Sequence, residues 1–239
     1  MKSSIFAETL AHMSTSNPTS HTIRVWDLPT RLFHWALVLA VIGLVVTGQI
    51  GGQAMVWHFR CGYLVGSLLV FRLVWGVMGG HYSRFASFIY APRSIVNYLK
   101  DKAHPAHVVG HNPLGAFSVF AMLGVLVAQV STGLMSDDDI AFAGPLTRFV
   151  SGQWVSWATA YHKDIGKLLI IGLVVLHIAA IVFYRVKKKE NLVKPMVLGD
   201  KDVAQDVPRA TDNLATRLLA LIVFALSAGL FGWIASLGG

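Results

Sequence analysis

Charged residues and cysteine are both scarce in this chain of 239 residues. Asp, Glu, Lys and Arg together make up 13% of it, which is about half of their share in an ordinary soluble domain. The single cysteine, Cys61, excludes a disulfide within the chain. No Cys-x-x-Cys-His motif occurs, so covalent attachment of a c-type haem is excluded, and thiolate-bound iron–sulfur clusters are excluded as well.

Apolar sequence takes the place of charge, since hydrophobic residues make up 54% of the chain. Five runs are long enough to cross the roughly 30 Å apolar core of a bilayer. They cover approximately residues 34–51, 57–79, 114–136, 162–184 and 214–236. Each run is continuously apolar and does not alternate with a period of two, which favours helices over barrel strands. We therefore predict an all-α, polytopic membrane protein in contact with membrane lipid.

The formal net charge of +8 could indicate a nucleic-acid partner, but the positions of the charges argue against one. Lys and Arg concentrate in the N-terminal arm and in the segments 80–113 and 185–213. The connection between the first two runs has none, and the connection between the third and fourth has only Arg148 beside three aspartates. This alternation follows the positive-inside rule. It predicts a cytoplasmic N-terminus, a periplasmic C-terminus and no nucleic-acid partner.

We predict three parts in one membrane domain. These are a mobile N-terminal arm over 1–22, a four-helix core over 23–185, and a basic cytoplasmic link with a fifth transmembrane helix over 186–239. The arm lacks a long apolar stretch, so we expect no cleavable signal peptide. The charged, turn-rich segment 185–213 is predicted to be the most mobile piece.

Two connecting segments are rich in aromatic residues. The segment 80–112 interleaves them with basic residues, so part of it is expected to lie flat on the cytoplasmic surface. The segment 137–161 contains Trp154 and Trp157, which predicts an interfacial helix or a docking surface on the outer side.

Four of the ten histidines, His34, His58, His162 and His177, lie within the membrane runs or at their ends. Ionisable residues in such positions are costly and usually face a bundle interior or a functional site. With the N-terminus inside, His34 and His177 fall near the inner face, whereas His58 and His162 fall near the outer face. Each depth thus receives two imidazoles from two different helices.

The fourth run carries one histidine of each pair. His162 and His177 are fifteen residues apart, which is about 22 Å of rise and four full turns plus about 60°, so both face the same side of the helix. This geometry suits two metal macrocycles stacked across the membrane, each held by two imidazoles. The inner pair would be His34 with His177, and the outer pair His58 with His162. Zinc or copper suits the pattern less well, because its ligands must lie within a few Å of one another.

Glycines and one arginine fit the same picture. Gly62 and Gly166 each follow an outer histidine by four residues, on the same helical face, where a missing side chain leaves room for a flat macrocycle. Arg72 lies about 21 Å deeper than His58 and could pair with a carboxylate of the inner macrocycle. The alternatives are a Gly-xxx-Gly packing face at Gly62 and Gly66, a snorkelling Arg72, and terminal histidines that bond a neighbouring carbonyl.

Several stretches resemble a known family: VWDLPTRLFHWALVLAVIGLVVTG (25–48), RLVWGVMGG (72–80) and GHNPLGAFSVFAMLGVLVAQVSTGL (110–134), together with the fourth run. They look like the prokaryotic cytochrome b-561 family, which includes the B-type cytochrome subunits of nickel–iron hydrogenases. The resemblance covers roughly residues 23–185. It implies a four-helix core with two b-type haems in a bacterial inner membrane. The family's haem ligands match His34, His58, His162 and His177, and the fifth run carries no candidate ligand.

The first functional hypothesis is a di-haem b-type cytochrome that transfers electrons between a periplasmic redox partner and the quinone pool. The partner would be a hydrogenase-like or cytochrome c-type subunit. Two imidazoles per iron leave no position for oxygen, which favours an electron carrier over an oxygenase. Arg31, His111 and Asn112 are candidates for the quinone site, with helix capping and interface anchoring as the alternative roles. Whether the chain is an enzyme by itself stays open.

Two other functions compete with this one. The scaffold could act alone as a superoxide:quinone oxidoreductase, with Arg60, Lys163 and Lys167 attracting the anion to the outer face. Alternatively, the chain could be a haem-free structural membrane subunit, which would be colourless.

Overall fold

The computed structural model describes residues 21–100, 109–204 and 206–238, so most of the predicted arm over 1–22 lies outside the described residues. The regular elements, in chain order, are β1 (His21–Arg24), α1 (Leu28–Ile50), α2 (Met55–Met78), α3 (Pro92–Leu99), α4 (Pro113–Leu134), α5 (Gly152–Ala160), α6 (Lys167–Phe183), α7 (Val193–Leu198), β2 (Asp200–Val203) and α8 (Leu214–Ser236). Two π-helical stretches, Tyr161–Gly166 and Tyr184–Lys188, flank α6.

Within the described residues, five helices are long and apolar enough to span a membrane, which confirms the all-α polytopic fold with a fifth helix. They are Leu28–Ile50, Gly52–Met78, Pro113–Leu134, Gly152–Lys188 and Leu214–Ser236. The fourth begins about ten residues before the predicted run, because α5, the π-helical stretch and α6 are continuous. Trp154 and Trp157 therefore extend the fourth span and do not form a separate interfacial helix.

Helix α2 occupies the centre of the bundle, where it packs against α1, α4 and α8. Its apolar residues are the largest single contribution to the core, which α1, α4 and α8 complete. A Cβ at Gly66 would lie 2.1 Å from the Phe231 ring of α8, so Gly66 is a helix-packing glycine that admits the fifth helix. The fourth span contacts α4 and leaves most of its apolar surface exposed, as expected for a helix that faces lipid.

A buried carboxylate joins the start of α1 to the end of α2. Asp27 is fully buried and caps α1 by accepting a hydrogen bond from the Thr30 amide at 2.8 Å. It also accepts hydrogen bonds from Trp75 Nε1 at 3.3 Å, the Gly80 amide at 3.1 Å and Ser83 Oγ at 2.8 Å. A buried carboxylate needs such donors to offset its lost hydration. This network links the WDLPT and VWGVMGG stretches in space.

The segment 185–213, predicted to be the most mobile piece, is instead folded in its described part. It contains α7 and β2, and β2 pairs antiparallel with β1, with His21 opposite Val203 and Arg24 opposite Asp200. A second small core forms there from Ile23, Val25, Trp26, Tyr82, Val109, Val203 and Ala210. The segment folds because β2 pairs with β1, whose residues are about 180 positions earlier in the chain. Local charge and turn content do not reveal such a distant partner.

Candidate functional site

The structure brings together each histidine pair that the sequence predicted. The ring centroids of His58 and His162 are 6.1 Å apart with an interplanar angle of 83°. Those of His34 and His177 are 6.5 Å apart with an angle of 54°. We call the end of the bundle with His34 and His177 the inner end, after the predicted orientation, and the opposite end the outer end.

Both separations suit two imidazoles bound to opposite sides of one metal. A metal–nitrogen bond of about 2 Å, plus about 1.2 Å from that nitrogen to its ring centre, gives a centroid separation of about 6.4 Å. A protein-only metal site is not favoured, because no group of three or more His, Cys, Asp or Glu that could hold an ion occurs in the described part of the chain. The histidines occur in pairs. A porphyrin supplies four ligands to its iron and leaves two coordination positions for the protein, which one pair would fill.

Hydrogen bonds determine the tautomer of both outer histidines. His58 Nδ1 lies 3.0 Å from the Leu44 carbonyl oxygen, and His162 Nδ1 lies 2.9 Å from the Gln129 carbonyl oxygen. Because a carbonyl only accepts, each Nδ1 must donate its proton, which leaves each Nε2 lone pair free to bind a metal. Both outer histidines therefore do bond a neighbouring carbonyl, as the alternative role supposed. That bond uses Nδ1 and leaves Nε2 available for metal ligation.

A cavity of about 460 Å³ adjoins the outer pair and is lined by His58, His162 and Gly62, among others. A Cβ at Gly62 would meet no atom within 4 Å, so this glycine leaves open space beside the histidines. Gly166 differs from the expectation, because a Cβ there would lie 1.9 Å from Gln129 Oε1. The missing side chain at Gly166 makes room for Gln129 and does not leave space for a macrocycle.

Two glycines that the sequence reasoning missed contact the outer imidazoles. A Cβ at Gly48 would lie 3.2 Å from the His58 ring, and a Cβ at Gly133 would lie 2.7 Å from the His162 ring. Both glycines follow a threonine near the end of the span that precedes the histidine. This recurring Thr-Gly pair was the signal in the sequence that could have identified them.

At the inner end, Arg72 is 3% exposed, and its Nη1 has no hydrogen-bond partner among the described residues. Its guanidinium lies over the Phe85 ring at 4.6 Å. The side chain therefore does not snorkel to the surface, and an unpaired buried charge is costly. An anionic group beside Arg72, such as a haem propionate, would remove that cost. His34 Nδ1 is likewise buried without a partner in the described part of the chain.

His111 also lies at the inner end, where its ring contacts Trp26 at 4.7 Å and Phe88 at 4.4 Å between centroids. Burial lowers the pKa of His111 to about 3, and the charges of Arg72 and His34 act in the same direction. The imidazole is therefore neutral near pH 7. A neutral imidazole has one donor and one acceptor nitrogen.

The other two quinone candidates have structural partners. Arg31 Nη1 donates to the Val197 carbonyl of α7 at 2.6 Å. Asn112 caps α4 by accepting from the Gly115 amide at 2.8 Å, and its Nδ2 donates to the Tyr184 hydroxyl at 2.9 Å. The capping role is therefore observed for Asn112.

The charges around the outer cavity are mixed. Lys163 and Lys167 line it together with three carboxylates, Asp137, Asp138 and Asp164. Arg60 does not line the cavity and lies over the Trp57 ring at 4.8 Å. Two ammonium groups beside three carboxylates do not produce the positive field that would attract an anion.

Comparison with known proteins agrees with the fold. The prokaryotic cytochrome b561 family matches residues 25–199, a range that extends past residue 185 and includes α7. Three relatives carry the name probable Ni/Fe-hydrogenase B-type cytochrome subunit, with "hydrogenase 1" in the third. They come from Cupriavidus necator (26% identity, covering 73% of this chain and 85% of the relative), Azotobacter vinelandii (26%, 78% and 91%) and Escherichia coli K12 (25%, 77% and 92%). The chain therefore belongs to the prokaryotic cytochrome b561 family and is a b-type membrane cytochrome of electron transfer.

Proposed function

We propose that the chain binds two haem b groups and transfers electrons between a periplasmic redox partner and the membrane quinone pool. His34 and His177 would hold the inner haem, and His58 and His162 the outer one. The observation that carries this proposal is the separation of the two pairs, 6.5 and 6.1 Å between ring centroids. Haem supplies one-electron chemistry, which the surrounding protein tunes through ligands, burial and nearby charge.

The names of the relatives support a hydrogenase as the partner. The chain would be the cytochrome subunit that receives electrons on the outer side of the bacterial inner membrane. Exposed Trp154 and Trp157 of α5 lie just before His162 in the fourth span, which makes α5 the proposed docking surface. Aromatic residues of this kind are enriched in protein interfaces.

Quinone would exchange at the inner end, beside His111. The neutral imidazole of His111 can donate to a quinone carbonyl oxygen or accept from a quinol hydroxyl, whereas Asn112 positions the start of α4. Arg31 would contribute positive charge, and its Nε has no hydrogen-bond partner in the described part of the chain. A partner-independent superoxide:quinone oxidoreductase is less favoured, because the outer cavity carries more carboxylates than ammonium groups.

The first test is a reduced-minus-oxidised absorption spectrum of the purified chain, with haem quantified per polypeptide. Two b-type haems per chain are expected. One haem would contradict the pairing by depth, and none in a folded sample supplied with haem would leave a structural membrane subunit.

A second test separates the two redox functions. With the hydrogenase of the same organism added, hydrogen should reduce both haems, and added quinone should reoxidise them. If superoxide alone drives quinone reduction while hydrogen and the hydrogenase do not, the partner-independent oxidoreductase replaces the proposal.

A further inference from the structure

The imidazole of His58 sits in a socket formed by the end of α1. Its Nδ1 donates to the Leu44 carbonyl at 3.0 Å. Thr47 Oγ1 donates to the Gly43 carbonyl at 2.6 Å, a back-bond of the kind that bends helices. The ring lies against Gly48, where a Cβ would be 3.2 Å away. We call the Leu44 carbonyl, Thr47 and Gly48 the His58 socket.

The imidazole of His162 sits in an equivalent socket at the end of α4. Its Nδ1 donates to the Gln129 carbonyl at 2.9 Å. Thr132 Oγ1 donates to the Ala128 carbonyl at 2.7 Å. A Cβ at Gly133 would be 2.7 Å from the ring. We call the Gln129 carbonyl, Thr132 and Gly133 the His162 socket.

The two sockets share the same offsets along the chain. In each, the accepting carbonyl is three residues before the threonine and four before the glycine, and the threonine back-bonds to the carbonyl four residues before itself. They belong to different spans, α1 and α4, which are separate segments of the chain. The repetition therefore indicates a common task, which is to hold an imidazole ring against the helix backbone.

The His162 socket is the tighter of the two. A Cβ added at its glycine would lie 2.7 Å from the ring, against 3.2 Å in the His58 socket. His162 also lies in the π-helical stretch Tyr161–Gly166, and its backbone carbonyl accepts from Gln129 Nε2 at 2.9 Å. Single π-helical turns within α-helices are frequent at functional sites. Gln129 thus holds both the ring and the backbone of His162.

We propose that Gly48 and Gly133 are positioning residues of the outer haem site. Their missing side chains let each imidazole approach the backbone, so that Nδ1 donates to the carbonyl and the two ring planes stay nearly perpendicular. A donating Nδ1 makes the ligating nitrogen more basic, which stabilises ferric iron and lowers the reduction potential. This inference rests on the proposed bis-histidine haem sites.

The test compares Gly133→Ala with Gly124→Ala in the full chain. Gly124 lies on the same helix, and a Cβ there would meet no atom within 4 Å, so the control makes the same helix change without touching an imidazole. Haem per chain, redox potentiometry and low-temperature electron paramagnetic resonance are measured. Perpendicular imidazole planes give a strongly anisotropic low-spin ferric signal, whereas parallel planes give a rhombic one.

In Gly133→Ala we expect one of the two haems to be lost, or to shift its midpoint potential upward and lose its strongly anisotropic signal. The second haem should be unchanged, and so should both haems of Gly124→Ala. In Gly48→Ala the added methyl requires the His58 ring to move by only a few tenths of an ångström. This variant should therefore shift the midpoint potential of the same haem by a smaller amount.

Each other outcome has a defined meaning. If Gly133→Ala and Gly48→Ala both match Gly124→Ala in haem content, potentials and resonance signals, the positioning role is wrong while the di-haem proposal stands. If Gly133→Ala loses both haems, Gly48→Ala decides: a selective shift of one haem supports the inference, and an unchanged spectrum overturns it. A wild-type chain without haem overturns the proposed function itself.

Discussion

The carboxylate of Asp27 accepts a hydrogen bond from the indole Nε1 of Trp75, 48 residues further along the chain. The contact is fully buried and joins the first turn of α1 to the last turns of α2. Arg72, the candidate partner of an inner haem carboxylate, lies one turn before Trp75 on α2. The same network therefore holds the inner end of the bundle in register and positions the helix that carries Arg72.

Replacement of Asp27 by Ala should lower the stability of the protein by roughly 3 kcal/mol, because it leaves several buried donors without an acceptor and removes a helix cap. Asp27→Asn should cost less, since its amide oxygen still accepts. Thermal unfolding in detergent measures both changes. Equal stability of Asp27→Ala and the wild type would show that the buried donors find other partners.

Substitution of single ligands should separate the two haems. His162→Ala should lose only the outer haem and His177→Ala only the inner one, because each iron would keep a single imidazole. Haem per chain and the reduced-minus-oxidised spectrum measure the loss, with His81→Ala in a connecting loop as the control that keeps both. Loss of both haems from a folded variant, or of neither, would contradict the pairing.

Gly62→Leu should hinder the outer haem, because the new side chain would extend into the open space beside His58 and His162. Gly172→Leu is the matched control, since Gly172 is an exposed helical glycine with no atom within 4 Å of an added Cβ. The haem content of both variants is compared. Full haem content in Gly62→Leu would show that the open space beside Gly62 is not needed for haem binding.

Gly66→Ala should instead affect the fifth helix. Its Cβ would overlap the Phe231 ring, and overpacking of this kind costs roughly 1–3 kcal/mol. The combined change Gly66→Ala with Phe231→Leu should recover part of the lost thermal stability while the haem content stays constant. If the second change recovers nothing, the contact between α2 and α8 does not account for the effect.

Stability should depend on the charge of Asp212 at low pH. Burial by itself would raise the pKa of Asp212, but bonds from Arg217 and the Leu28 amide and the charges of Arg217 and Arg24 hold it below the usual 3.8. A carboxyl whose folded pKa is depressed adds stability above its unfolded pKa and loses it as pH falls through the folded value.

The matched variant for this pH dependence is Asp212→Asn. The difference in melting temperature between the wild type and Asp212→Asn should be constant above about pH 5 and shrink below pH 4. A difference that stays the same down to pH 3 would mean that ionisation of Asp212 does not contribute. Thermal scans in detergent at several pH values decide between these outcomes.

The sequence was informative wherever the signal was local or depended only on depth. Long apolar runs predicted five membrane helices, and alternation of helix direction predicted which histidines share a depth. It was less informative at helix ends. Helix α1 begins at Leu28, because Asp27 caps it there, and not at residue 34, where the apolar run starts. The segment 185–213 was misjudged because the partner of β2 is β1, near the other end of the chain.

The surroundings of some site residues also depend on contacts between distant segments, which spacing along one helix does not predict. Gly166 and Gly62 share a spacing from their histidines, yet only Gly62 faces open space, because Gln129 of α4 fills the position beside Gly166. The rotation of α4 against the fourth span decides this, and one sequence does not reveal helix rotation.

The sequence by itself determined the membrane class, the number of spans and which imidazoles lie at the same end of the bundle, because hydropathy and helical rise follow from the order of residues along one segment. Tertiary structure alone decided which carbonyl each outer imidazole binds, which glycine stands beside it, and how the buried Asp27 joins two helices. These are contacts between distant segments. Their energies depend on how helices pack, and packing is a property of the whole bundle.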